Sequence, residues 1–87
     1  MAKILVAEDE ASVSEFISRA LQSQGHEVTT AEDGGEALDI LQNNSFDLLL
    51  TDIVMPVMDG IALALKASAS APDMRILLMS GYAAERQ

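Results

Sequence analysis

The stretch Asp47-Leu48-Leu49-Leu50-Thr51-Asp52-Ile53-Val54-Met55-Pro56-Val57-Met58-Asp59-Gly60 decides how the rest of the chain is read. Its start is continuously apolar, as in central parallel strands covered on both faces. The run ends on a carboxylate, Asp52. Further on, Asp59 stands where an N-cap belongs, ahead of an Ala- and Leu-rich segment reaching from about Gly60 to Ser70. An Asp after a strand commonly serves as a turn residue or cap. Asp59 already fills that place, so Asp52 is left without the structural task, in a loop whose path Pro56 fixes. The spacing predicts a strand, an acid-bearing loop and a helix, in that order.

Working outward, strands are expected at Lys3 to Ala7, Glu27 to Ala31, Asp47 to Thr51 and Arg75 to Met79. The first, third and fourth hold continuously apolar stretches, as in strands covered on both faces, and the second alternates around Val28 and Thr30, which predicts a sheet edge. Between the first two, Val13, Phe16, Ile17, Ala20 and Leu21 form the stripe of an amphipathic helix. Ser12 with Glu15 reads as a capping box at its start, and Gly25 suits the left-handed residue that ends it. Asp33 with Glu36 repeats the cap signal before a second helix that closes at Asn43-Asn44, and Pro72-Asp73 turns the chain into the last strand. Strands alternating with helices in this way imply right-handed crossovers and a parallel α/β sheet with helices on both faces.

Composition limits the function classes. The 87 residues fit one domain, taken as 1–87, and 49% hydrophobic with 22% charged residues is the balance of a folded chain. A formal net charge of -9 repels a phosphate backbone and an anionic lipid surface. No apolar run approaches the roughly 20 residues that span a bilayer, and Met1-Ala2-Lys3 leads into a strand without a secretory signal, so a cytoplasmic chain is expected. Without cysteine there is no disulfide or thiolate zinc site.

In open parallel sheets, ligands bind beyond the carboxyl ends of the strands. Here the first strand runs into Glu8-Asp9-Glu10, the third into Asp52 and the fourth into Ser80-Gly81. Glu8, Asp9 and Asp52 should therefore converge, and clustered carboxylates need protons or a cation to compensate them. Mg2+ fits, because it takes a few carboxylate or carbonyl oxygens, keeps several waters and leaves room for a phosphate. Calcium usually demands more protein oxygens. The plainer reading of Glu8 to Glu10, a solvated acidic run, is outweighed by its place after a buried strand opposite Asp52. A carboxylate held beside a metal in a rigid loop is a candidate nucleophile toward phosphorus.

At this point the residues resemble the receiver domains of two-component response regulators. The resemblance rests on Ile4-Leu5-Val6-Ala7-Glu8-Asp9-Glu10, on Asp47 to Gly60, and on Ile76-Leu77-Leu78-Met79-Ser80-Gly81. Leu48 to Gly60, with the ending Ser80-Gly81-Tyr82-Ala83-Ala84, is similar to stand-alone receivers of the CpdR type. The resemblance implies a flavodoxin-like doubly wound sheet of order 2-1-3-4, without the family's fifth strand and last helix. It implies Asp52 as phosphoacceptor, Asp9 as a direct Mg2+ ligand, Glu8 acting through water, and a backbone carbonyl from Val54. Ser80 takes the place of the hydroxyl that binds the phosphoryl group and shifts with it. The implied partners are a sensor histidine kinase or phosphotransfer protein and a downstream protein target.

The family's Lys and switch aromatic have no counterpart up to Gln87. Lys3 and Arg75 begin strands at the opposite edge, Lys66 lies inside the third helix, and nothing in the spacing of Arg86 requires it at the site. The expectation is a receiver domain truncated at its C-terminal end. Its fourth strand would offer an open edge for a homodimer or segment exchange, and its first helix would lose a packing neighbour. Tyr82 to Gln87 could begin a fourth helix. His26 reads as an inert surface residue, and the methionines as core and loop packing. Two alternatives stand beside the phosphoacceptor switch: a receiver-fold binding module without phosphotransfer, and a metal-dependent aspartyl-phosphate hydrolase. Against the latter, the haloacid-dehalogenase pattern would need Asp where Val54 stands, and no phosphate-binding Gly-Lys loop is present.

Overall fold

Strands β1 (Lys3–Ala7) and β3 (Leu48–Asp52) lie side by side and parallel, pairing Ile4 with Leu48 and Val6 with Leu50. The computed structural model describes residues 1–80; Gly81, the expected fourth helix at Tyr82 to Gln87, and Arg86 lie outside the described residues. β2 (Glu27–Ala31) pairs with the other side of β1, and β4 (Arg75–Met79) with the other side of β3. The sheet order is β2-β1-β3-β4, all parallel, as expected of a doubly wound fold. β2 is an edge strand, as its alternation implied. β3 begins and ends one residue later than the apolar run suggested, so Asp52 is its last residue.

Side chains alternate across a strand, so the two faces collect different residues. Leu5, Ala7 and Leu49 point to one face, where α2 (Gly34–Asn43) contributes Ala37 and α3 (Gly60–Ser70) contributes Leu63 and Ala67. Met55, Ala31 and Met74 complete that core. Ile4, Val6 and Leu50 point to the opposite face, where α1 (Ala11–Ser23) lays Ile17 and Leu21 against them. Caps locate two of the three helices among the described residues: the Asp33 carboxylate accepts the Glu36 N–H at 2.9 Å and Asp59 accepts the Ala62 N–H at 2.8 Å. Glu36 reaches back to the Glu32 N–H at 2.6 Å, one residue earlier than an ordinary capping box. Gly25 takes φ 90 in the turn after α1.

Three expectations need correction. The Ser12 and Glu15 capping box does not form: α1 begins at Ala11, its N-cap Glu10 makes no side-chain cap bond, and Glu15 pairs with Arg19 at 2.7 Å. Ser12 is already inside the first turn. Secondly, α1 is rotated relative to the expected stripe. Ser14 and Ser18 are buried, while Val13 is 36% and Phe16 75% exposed. The helix lies over β1 and β2, so its small serines face the sheet and its Val13 and Phe16 edge projects beyond the cover those strands give. Thirdly, β4 is not covered on both faces, since Leu77 and Leu78 are exposed on the outermost strand. His26 is half-buried and structural: its Nδ1 accepts the Ala2 N–H at 3.0 Å.

Candidate functional site

β1 carries its pairing one residue past the strand, where the Glu8 N–H donates to the Ala31 carbonyl at 3.0 Å. The side-chain row Ile4, Val6 then continues into Glu8, and the neighbouring row Leu48, Leu50 into Asp52. The two carboxylates consequently meet on the same face of the sheet, and Asp9 joins them from the turn. One carboxylate oxygen from each of Glu8, Asp9 and Asp52 lies within 4.8 Å of the others. Their surroundings differ: Glu8 is only 4% exposed, Asp52 is half-buried and Asp9 is exposed.

Burial pushes the Glu8 carboxyl up to about 7, the nearby negative Asp52 adds to the rise, and the Glu10 N–H, donating to Glu8 Oε2 at 3.0 Å, works against it. A buried acid beside another acid is stable either as the protonated form or opposite a cation. Three carboxylate donors, one of them still open to solvent, suit a hard divalent ion of the Mg2+ kind.

The loop from Ile53 to Asp59 holds Asp52 in place. Its ends are tied by the Ile53 N–H to the Met79 carbonyl at 3.0 Å and by the Gly60 N–H to the Ile53 carbonyl at 2.8 Å. At Gly60 a Cβ would fall on the carbonyl oxygen of Asp52, so only glycine lets α3 start this close to the acid. Thr51, wholly buried, donates its hydroxyl to the Asp52 carbonyl at 2.9 Å and lies 3.9 Å from Met55 Sδ. Neither the Thr51 tie nor the depth of the Gly60 contact was foreseen, although a hydroxyl at the end of an apolar strand is a visible signal for the former. Between Pro56 and Met58 the chain makes a γ-turn, with the Met58 N–H donating to the Pro56 carbonyl at 2.8 Å and Val57 at φ 72.

Ser80 reaches the same place. It lines a pocket of about 290 Å³ together with Glu8, Glu10, Val13, Asp52 and Met79. Val54 stands two residues beyond Asp52 and is 57% exposed. Lys3 and Arg75 are at the other edge, as expected, where the Lys3 ammonium sits 5.5 Å from the centre of the Phe46 ring. A larger cleft of about 580 Å³ opens at that opposite edge, between Phe46, Pro72 and Arg75, away from the carboxylate cluster.

Comparison with known proteins agrees with this geometry. Residues 4–87 match the response regulator receiver domain family. The response regulator receiver protein CpdR of Brucella abortus is 46% identical over 84 residues, which cover 97% of this chain and 70% of CpdR. The crystal structure of response regulator TrrA from Thermotoga maritima, in complex with Mg2+ and BeF, superposes with TM-score 0.91 at 36% identity, covering 99% of this chain and 75% of TrrA. TrrA in complex with the histidine kinase ThkA superposes at TM-score 0.88 and 36% identity, over 94% of this chain and 71% of TrrA. Among the described residues no helix is long and apolar enough to cross a membrane. With the sheet order, the acids at the strand ends and the family match all in agreement, the chain belongs to the response regulator receiver domains, a family of phosphoacceptor switches.

Proposed function

We propose that Asp52 accepts a phosphoryl group from a phosphohistidine, carried by a sensor kinase or a phosphotransfer protein, and that Glu8, Asp9, Asp52 and the Val54 carbonyl hold the Mg2+ the transfer needs. The observation that carries this reading is the convergence of Glu8, Asp9 and Asp52 within 4.8 Å at the carboxyl end of a parallel sheet. In the reaction an Asp52 oxygen bonds to phosphorus in line with the departing nitrogen. The P–N bond breaks, and its electron pair stays with the imidazole. Bound Mg2+ supplies the charge neutralisation that phosphoryl oxygens require in an acidic pocket. Asp52 supplies a carboxylate oxygen as the nucleophile, as in aspartyl-phosphate chemistry. The Gly60 and Thr51 contacts keep its backbone from moving. The Ser80 hydroxyl, on the same pocket, hydrogen-bonds the new phosphoryl group and moves with it. Water attack on phosphorus then releases phosphate and restores the acid.

The TrrA and ThkA complex supports a kinase partner, and the Mg2+ and BeF complex of TrrA supports the metal. The reading places the chain in the cytoplasm, acting on a downstream protein through the surface that phosphorylation changes. The same proposal includes self-association through the outer edge of β4, with Leu77 and Leu78 exposed there; a monodisperse monomer by light scattering would remove that part. The test of the main reading is titration with beryllofluoride, a phosphoryl-shaped anion, in the presence of Mg2+ and followed by amide NMR shifts. Saturable binding in the wild type, lost in Asp52→Ala, is expected. Absence of Mg2+-dependent binding in the wild type overturns it, and steady turnover of a phosphate ester would favour the hydrolase instead.

A further inference from the structure

The loop that follows Asp52 and bears Val54 is pressed from one side by the first residue of α2, a contact that nothing in the acidic site itself requires. Gly34 is buried, and a Cβ there would meet the Met58 carbonyl oxygen at 2.7 Å, the Met58 Cβ at 2.8 Å and the Met58 Cγ at 3.1 Å. Real Cβ atoms do not come this close, so a side chain at position 34 must displace either α2 or the loop. The start of α2 is firmly held. Asp33 accepts the Glu36 N–H at 2.9 Å, its carbonyl accepts the Ala37 N–H at 3.0 Å, and Glu36 accepts the Glu32 N–H at 2.6 Å.

At Met58 the side chain packs against the core, but the backbone is held by a γ-turn hydrogen bond of 2.8 Å closed around a β-branched residue at φ 72. A positive φ at a β-branched residue costs on the order of 1–3 kcal/mol, which the surroundings must outweigh. The turn is therefore the part that yields. From it the displacement passes along Pro56 to Met55, whose side chain is buried and whose sulfur meets the Thr51 hydroxyl that also holds the Asp52 carbonyl. Val54 lies between those two anchors.

We propose that the missing side chain at Gly34 sets the position of the Val54 to Met58 segment, which makes Gly34 a positioning residue for the Mg2+ site. The proposal rests on the metal reading given above. Gly35, next in the same helical turn, is the natural control: a Cβ there would meet only the Asp33 carboxylate at 3.3 Å and the Val57 Cγ1 at 3.7 Å. The former is the end of a side chain, and the latter is ordinary contact.

The experiment is a Mg2+ titration of the chain by calorimetry and amide NMR, with urea melts run alongside to separate site from fold. Folded Gly34→Ala should bind Mg2+ about tenfold or more weakly, with altered amide shifts at Val57 and Met58, while Gly35→Ala keeps the wild-type affinity. Wild-type affinity in folded Gly34→Ala overturns the proposal and leaves the metal reading intact. Absence of Mg2+ binding in the wild type removes both. Should Gly34→Ala fail to fold, the Gly34→Ala/Met58→Gly pair, which lacks two of the three close Met58 atoms, is compared with Met58→Gly alone. Weaker Mg2+ binding by the pair supports the positioning role, and equal binding overturns it.

Discussion

On the α2 and α3 side of the sheet Leu5, Leu49 and Leu63 are wholly buried, whereas on the α1 side Ile4, Val6 and Leu50 are buried but Phe16 is 75% and Leu77 56% exposed. The deep face carries most of the close packing. The shallow face carries the carboxylates, because Glu8 and Asp52 are the next members of the Ile4, Val6 and Leu48, Leu50 rows. Strand alternation alone delivers these acids to the side where cover runs thin, which is what the proposed function needs of a site open to a phosphoryl donor. The difference shows stability and access assigned to opposite faces of the same strands.

The strongest way to break this comparison is a cavity on the deep face. Leu49→Ala should cost about 2–5 kcal/mol in urea unfolding, whereas Leu77→Ala on the shallow face should stay within about 0.5 kcal/mol. Equal losses would dismiss the division. Next in size is the pH dependence set by Glu8. Its folded value of about 7 lies above the ordinary 4.5, so the folded state holds a proton that the unfolded chain releases. The Glu8 contribution is therefore fully present below about pH 4.5 and fades as pH rises through 7, by at most about 3 kcal/mol. Melts of Glu8→Gln should lack this decline. Mg2+ should offset it in the wild type and bind more weakly as pH falls below about 7, because it competes with that proton.

A smaller effect separates the helix starts. Asp33→Ala should cost about 1 kcal/mol by losing its bond to the Glu36 N–H, and Ser12→Ala, which removes no cap, should leave the urea midpoint unchanged. A similarly small change is expected at Phe16, where replacement by Ser on the exposed edge of α1 should alter stability by no more than about 0.5 kcal/mol. A larger loss there would mean that the shallow face is better covered in solution than its exposure suggests.

The parts legible in the sequence are those encoded locally. Apolar runs fixed the strands to within a residue, and Asp33 and Asp59 marked two helix starts because an N-cap acts across three residues. The convergence of Glu8, Asp9 and Asp52 followed from parallel topology. The rotation of α1 did not, since it depends on which strands the helix lies over, and buried Ser14 and Ser18 read as surface residues. Nor could burial within the acidic triplet be read from composition: alternation turns Glu8 inward and leaves Asp9 exposed. The γ-turn was hidden because valine is a poor choice for positive φ, and the Gly34 contact joins positions 24 residues apart.

The close seating of Gly60 bears on the chemical lifetime of the chain. An Asp-Gly bond ages when the glycine nitrogen attacks the preceding side-chain carboxyl, closing a succinimide ring that reopens largely as isoaspartate. At Asp59-Gly60 that nitrogen's N–H is engaged by the Ile53 carbonyl at 2.8 Å and the carboxylate by the Ala62 N–H at 2.8 Å. Both groups whose reaction would close the ring are thus engaged in hydrogen bonds in the folded chain. Isoaspartate at position 59 should accumulate in unfolded protein and stay rare in folded protein, so this bond keeps a chemical record of time spent unfolded.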